Sequence, residues 1–270
     1  MATTRESFLR KSMEKMKQAL QSRDNLIVNV QRSIDELMMV KNSLGERLEE
    51  WYAVYFPELK LEDKAKFAQV ASVFDKKGER QGIEQIVGTK KAAEIMQLAE
   101  KSIGSEFKEA DLEECKKFAK LIADMDLMIT QYEEYQQRLC QELCPSMTEV
   151  AGAAIAAKLI SHVGSLMKLA LLPASTIQVL GAEKALFKHL KNKRIAPPKH
   201  GIIFQHVYIS SSPKVVRGKI ARLLANKITL ATKADAFTKN FIGPDLRKQL
   251  EEKYQEIMKN YTKGKGEKGD

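Results

Sequence analysis

Twelve cations and two acids share residues 173–237. The cations fall into three clusters: Lys184, Lys188 and Lys191; then Lys193, Arg194 and Lys199; then Lys214, Arg217, Lys219, Arg222, Lys227 and Lys233. The acids are Glu183 and Asp235. A helix-forming stretch with that imbalance attracts a polyanion, and RNA or DNA is the default partner. Any one of these lysines could be a solvated side chain. The block as a whole is different, because surfaces built only for solubility intersperse both signs.

Other chemistry is hard to find. No Ser/His/Asp or Cys/His grouping, Walker loop or dinucleotide fingerprint stands out, so the chain reads as non-catalytic, with no cofactor and no metal site. His162, His189, His200 and His206 are scattered, and three of them fall in the basic block. A histidine beside RNA serves stacking or phosphate contact more often than general base work. Cys115, Cys140 and Cys144 form neither a disulfide framework nor a zinc-like pairing.

The elements that must position the basic block are helical. From Leu9 the apolar positions run Leu9, Met13, Met16, Leu20, Ile27, Val30, Ile34, Leu37, Leu44, Leu48 and Trp51, with Arg23 and Lys41 as polar interruptions. Steps of three and four are a coiled-coil heptad. They predict one helix of some 40 residues, about 60 Å long, ended at EWYAVYFPEL by Pro57. A second run, Phe118, Leu121, Met125, Met128, Tyr132, Tyr135 and Leu139, stops at Cys144-Pro145. Shorter helices over 62–107, broken at Lys77-Gly78, Gly88 and Gly104, would form a head, with the two long helices antiparallel. Whether the Met/Tyr stripe is buried within one chain or also against a second copy stays open at this stage.

The second half begins with a small-residue segment closed by Pro173. A helix is expected over 182–193, with Lys184, Lys188 and Lys191 on one face. Pro197-Pro198 and Gly201 bound a loop, and 202–208 is an isolated strand-like run. Ser211-Ser212-Pro213 opens a helix over 213–236. Gly243-Pro244 precedes a last helix over 245–261, and the tail from 263 is low in complexity and expected to be disordered.

Charge divides with the chain. Residues 1–150 carry 23 Lys and Arg against 27 Asp and Glu, a net of −4; residues 151–270 carry 22 against 8, a net of +14, and together these give the +10 of the whole. One half assembles and the other binds polyanion. No window approaches the roughly 18 apolar residues a membrane-spanning helix needs, and the N-terminus shows no signal-peptide pattern. A cytoplasmic protein of a reducing compartment is expected.

LPASTIQVLGAEKALFKHLK resembles the Nop-domain family, supported by PKHGIIFQ and SSPKVVRGKIARLLANKITLATKADAF in the family's order and spacing. EWYAVYFPEL is similar to the block that ends the first coiled-coil helix there, so the likeness covers about residues 5–261, and PPKHGIIFQ is closest in wording to the archaeal branch. The resemblance implies an all-α protein: a coiled-coil domain over 1–145 that pairs two copies, a Nop domain over 146–262 and a disordered basic tail over 263–270. It implies a scaffold of the box C/D particle, which guides ribose 2′-O-methylation and serves rRNA processing. Such a scaffold recognises a kink-turn guide RNA together with the small ribosomal-type protein already bound to it. The methyltransferase, fibrillarin, is a separate protein docked by an N-terminal domain that this sequence lacks.

By position, the resemblance assigns RNA contact to Gly181, Ala182, Glu183, Lys184, Lys188 and Lys191 of the GAEK loop and helix. It assigns the same to Gln205, where eukaryotic relatives place a histidine that meets a flipped base, and to Arg217, Lys219, Arg222 and Lys233, the last standing where arginine is common. Self-association falls to Met125, Met128, Tyr132, Tyr135 and Leu139. The rival reading is a structural coiled-coil adaptor whose basic end binds acidic protein or membrane surfaces.

Overall fold

The structure, a computed structural model, describes residues 2–21, 23–76 and 81–266, and among them no residue is in a β-strand. The chain is all-α, as expected. Helix α1 (Ala2–Gln21) is followed by α2 (Asp24–Tyr55), so the single helix of some 40 residues is divided, with Arg23 in a turn ahead of α2. Asp24 supplies a reason. An acid in the first turn complements the helix dipole, and its buried carboxylate accepts the Leu166 N–H at 3.1 Å. Arg23, read as a polar interruption of the seam, pairs with Glu142. On α1 the seam residues Leu9, Met13 and Met16 are exposed; the Leu20 side chain lies outside the described ones.

The head comprises α3 (Lys64–Val73), α4 (Gln81–Val87) and α5 (Thr89–Glu100), and α6 (Glu109–Leu143) returns without a break. Asp63 caps α3 by accepting the Ala65 and Lys66 N–H groups at 2.9 and 3.3 Å. The expected break at Lys77-Gly78 lies outside the described residues. The second half follows as α7 (Pro145–Ala151), α8 (Ala153–Val163), α9 (Leu166–Ala170), α10 (Ala174–Val179) and α11 (Glu183–Lys191). A 3-10 turn (Ile202–Gln205), α12 (Val207–Ser210), α13 (Arg217–Lys233), a π turn (Ala234–Thr238) and α14 (Gly243–Gly266) complete it.

Packing divides the chain into two compact units, one of Ser33–Glu133 and one of Met1–Arg32 with Glu134–Asp270. The sequence drew its line at residue 145 instead. The difference arises because Ile27, Val28, Leu139 and Cys140, at the ends of the long helices, are buried in the core that α7–α14 build.

In the first unit α2 and α6 run antiparallel, with Lys41 Nζ 2.7 Å from Asp126 Oδ1 and the Trp51 and Phe118 rings 6.0 Å apart. Lys41 is therefore a matched polar pair on the seam, of the kind that fixes register. The buried positions of α6 here are Leu112, Cys115, Ala119, Ile122 and Ile129. That face lies one residue round from the stripe read in sequence. Hydrophobicity favoured Leu121 and Met128, but packing chose the small Cys115 and Ala119, which admit close approach, and left Leu121 48% and Met128 44% exposed.

In the second unit several local expectations shift. The strand-like run is helical instead: with no strand beside it, its backbone bonds locally, Phe204 N–H to the Gly201 carbonyl and Ile209 N–H to that of His206. Helix α13 begins four residues later than Pro213, after a turn closed by the Val216 N–H on the Pro213 carbonyl. Helix α14 extends to Gly266, four residues into the stretch expected to be disordered, since each added residue gains a backbone bond on an existing helix. Asp235 is 2% exposed and accepts the Ser146 and Met147 N–H groups at 3.1 and 2.8 Å, capping α7 from a distance. Burial pushes its carboxyl above the usual range, against those amides.

Candidate nucleic-acid interface

Two blocks of the sequence, GAEK and GIIFQ, fold into one platform in the second unit. The Gly201 N–H donates to the Gln178 carbonyl at 3.0 Å, and the Ile202 N–H to the Leu180 carbonyl at 2.7 Å. Side chain joins backbone where Gln178 Nε2 donates to the Lys199 carbonyl at 2.8 Å. Such knitting requires glycine at both contact points. Gly181 sits at φ +85°, a dihedral that L side chains rarely adopt. A Cβ there would lie 2.6 Å from Ile202 Cγ1, and one on Gly201 would lie 2.0 Å from the Leu180 carbonyl oxygen.

Glu183 closes the loop. Its Oε1 accepts the Gly181 N–H at 2.7 Å and lies 2.8 Å from His162 Nε2. Partial burial pushes this carboxyl up, but the amides of Gly181 and Glu183 and the His162 ring outweigh it and hold the group below its ordinary range. Both acids of the basic block are therefore tied to structural partners, Glu183 here and Asp235 at α7. The sequence counted them as charge; the fold uses Glu183 to close a loop and Asp235 to cap a helix.

Beyond this loop α11 buries none of its residues. Lys184, Lys188 and Lys191 are exposed and make no ion pair among the described residues. Phe187 and Leu190, 59% and 53% exposed, flank that stripe by helical spacing. Gln205 ends the 3-10 turn, exposed, with its Oε1 accepting from Lys158 Nζ at 2.8 Å. A cleft of about 550 Å³ beside it is lined by residues that include Gly152, Gln205, His206, Tyr208 and Arg247. Helix α8 is thus part of the platform through Lys158 and His162, one turn apart. Sequence reasoning assigned neither, and only the 158/162 spacing hinted that they share a face.

Arg217 is not disposed like the other cations. Its Nε donates to the Ser212 carbonyl at 2.8 Å and its Nη2 to the Ser210 carbonyl at 3.1 Å. The guanidinium lies 5.3 Å from the Phe204 ring centroid, and His200 stacks on Phe204 at 4.5 Å with 16° between planes. Burial, then Arg217 and Lys199, holds the His200 pKa below its ordinary value; His206 is held down mainly by burial.

On α13 the exposed residues include Lys219, Arg222, Asn226 and Lys233, stepping by three, four and seven along one stripe. Lys219 and Lys233 are about 21 Å apart at 1.5 Å per residue, so this is a rail and not a point site. Lys199 joins it to the platform, its side chain lying against Gly218. Lys227 leaves the surface: it is buried, with Nζ 2.5 Å from Gln249 Oε1, and burial followed by Lys253 lowers its pKa. A basic residue in an amphipathic helix points where the helix turns, and position 227 turns inward.

The remaining chemistry is inert. All three cysteines are buried and free. Burial pushes the Cys115 thiol up to about 11, and a hydrogen bond with the Cys140 thiol, then burial, raises Cys144. No cluster of three or more His, Cys, Asp or Glu among the described residues could hold a metal, and no described helix is long and apolar enough to cross a membrane.

Comparison with known proteins adds a family. The Nop family model, described as a snoRNA binding domain and fibrillarin, matches residues 33–256. An uncharacterized NOP5 family protein of Methanocaldococcus jannaschii is 40% identical over 92% of this chain and 60% of its own. Nucleolar protein 56 of Caenorhabditis elegans is 33% identical over 90% of this chain and 53% of its own, and nucleolar protein 58 of Neurospora crassa 35% over 83% and 38%. The chain therefore spans about 40 to 60% of the length of these curated relatives. Among solved structures, a fibrillarin/Nop5p complex aligns with a TM-score of 0.55 and 26% identity, over 95% of this chain and 78% of that one.

Proposed function

The chain belongs to the Nop family, and from that premise we propose that it is a non-catalytic RNA-binding scaffold of a box C/D particle, acting in the cytoplasm. Its second unit recognises a kink-turn RNA together with the ribosomal-type protein bound to it, and its long helices pair two copies. The observation that carries the RNA reading is the platform. GAEK and GIIFQ are held as one loop surface whose acid is engaged by the Gly181 N–H and the His162 ring, while Lys184, Lys188, Lys191, Lys219, Arg222 and Lys233 stay exposed. Phosphate neutralisation is what such a disposition does best.

Composite recognition is favoured by α11. A helix with no buried residue, carrying lysines beside exposed Phe187 and Leu190, suits a surface that meets nucleic acid and protein at once. The cleft beside Gln205 has room for one extruded base. Self-association is supported by the uncovered part of the stripe in the first unit; Leu139, assigned to self-association by the resemblance, is instead buried in the second unit's own core, with Tyr135 packed against it. Leu121 and Met128 are nearly half exposed, and Leu37, Val40, Met128 and Tyr132 line a groove of about 340 Å³. Two polypeptides meeting along these helices would cover it. Fibrillarin, named with the solved neighbour, is the proposed methyltransferase of the assembled particle, joined through the N-terminal domain that the family resemblance implies.

A gel-shift titration tests the reading, using a kink-turn RNA with and without its bound protein at two salt concentrations. Tight binding to the RNA–protein complex alone is the expected result. Equal, weak, salt-sensitive binding to every RNA would reduce the function to a basic patch.

A further inference from the structure

Arg217 was grouped by sequence with the cations that neutralise phosphate. Its surroundings give it other work. Two of its five N–H donors are spent on backbone carbonyls, of Ser212 and Ser210, where α12 ends and the connection to α13 begins. Its planar face lies over Phe204, which also stacks on the His200 ring and packs against the core. Phe204 precedes Gln205 in the same 3-10 turn. The backbone bonds and buried Ile203 hold the inner side of this four-residue turn, and the three planar groups hold its outer side, next to Gln205.

We propose that Arg217 is a positioning residue: it fixes the Ile202–Gln205 turn, and through it Gln205, while Arg222 and the exposed lysines take the phosphates. The inference rests on the RNA-binding reading above. Lysine cannot replace it, since a compact ammonium provides neither the fork nor the plate. A phosphate contact, by contrast, tolerates lysine.

Salt dependence separates the roles, because each phosphate neutralised adds about 0.7 to 0.9 to the slope of log affinity against log salt. Binding to the kink-turn RNA–protein complex is titrated across salt for the unaltered chain, Arg222→Gln, Arg217→Met, Arg217→Lys and Phe204→Leu. Arg222→Gln should lower the slope by about one phosphate. Arg217→Met should weaken binding about tenfold with the slope unchanged, and Arg217→Lys should fail to rescue it. Phe204→Leu keeps every charge and should reproduce the loss, which protects the test if Arg217→Met folds poorly. Combined with Gln205→Ala, Arg217→Met should add little further loss, whereas a general loosening would add in full.

A slope that falls in Arg217→Met as in Arg222→Gln, or rescue by lysine, overturns the inference and leaves the RNA reading intact. Absence of salt-dependent binding by the unaltered chain overturns the RNA reading, and the inference with it.

Discussion

Replacing Gly181 by alanine tests whether the platform is as tightly knit as its geometry implies. The new Cβ would stand 2.6 Å from Ile202 Cγ1 and 3.5 Å from the Ile202 nitrogen, where carbon contacts settle at about 3.5–4.0 Å. Ile202 cannot retreat freely, because its N–H is bound to the Leu180 carbonyl at 2.7 Å. Overpacking of this kind costs about 1–3 kcal/mol. The left-handed backbone at φ +85° adds about 1–2 kcal/mol. Gly164 is the matched control, at φ +95° with nothing within 4 Å of its Cβ site, so Gly164→Ala suffers the backbone term alone.

Urea unfolding followed by circular dichroism should therefore place Gly181→Ala about 1–3 kcal/mol below Gly164→Ala. Trp51, the only tryptophan, reports on the unit of residues 33–133, and its transition should move in neither variant. Affinity for the kink-turn RNA–protein complex should fall at least tenfold in Gly181→Ala and by no more than about twofold in Gly164→Ala, a tenfold change being about 1.4 kcal/mol. Equal stability and equal affinity in the two variants would refute the close packing of GAEK on GIIFQ.

Charge placed on the uncovered stripe should block pairing: Leu121→Glu with Met128→Glu should give a monomer by sedimentation with helicity unchanged, and a persistent dimer would remove α6 from the interface. Lys41 and Asp126 are 15% and 30% exposed on the seam, so Lys41→Met should destabilise by about 1–2 kcal/mol, discounted for solvent. Adding Asp126→Leu should recover most of that loss in urea midpoint, while weakening the register that the pair specifies. His200 and His206 have depressed pKa values, so below about pH 6.5 the unfolded chain binds protons that the folded one resists. Stability should accordingly be full above pH 6.5 and fall on acidification, and the fall measured between pH 7.5 and 5.5 should shrink in His200→Asn.

The sequence by itself determined the class of structure and carries the charge pattern on which the proposed partner rests. Helical periodicity, proline stops and the absence of paired strand runs made an all-α chain legible. The charge split, together with the GAEK, GIIFQ and RGKIAR blocks, pointed to residues 173–237 as the site. Those signals are local or additive, so a linear reading recovers them. Tertiary structure decided which face of each helix was used. The apolar stripe read on α6 is one residue off the face that packs, because Cys115 and Ala119 lose on hydrophobicity and win on closeness of approach. It likewise turned Lys227 inward, committed Glu183 to the loop and Asp235 to the cap of α7, brought Lys158 and His162 to the loop, and drew Arg217 onto Phe204. A count of charges cannot see this, since the role of a charged side chain is set by which backbone groups and rings the fold brings within hydrogen-bonding or stacking distance.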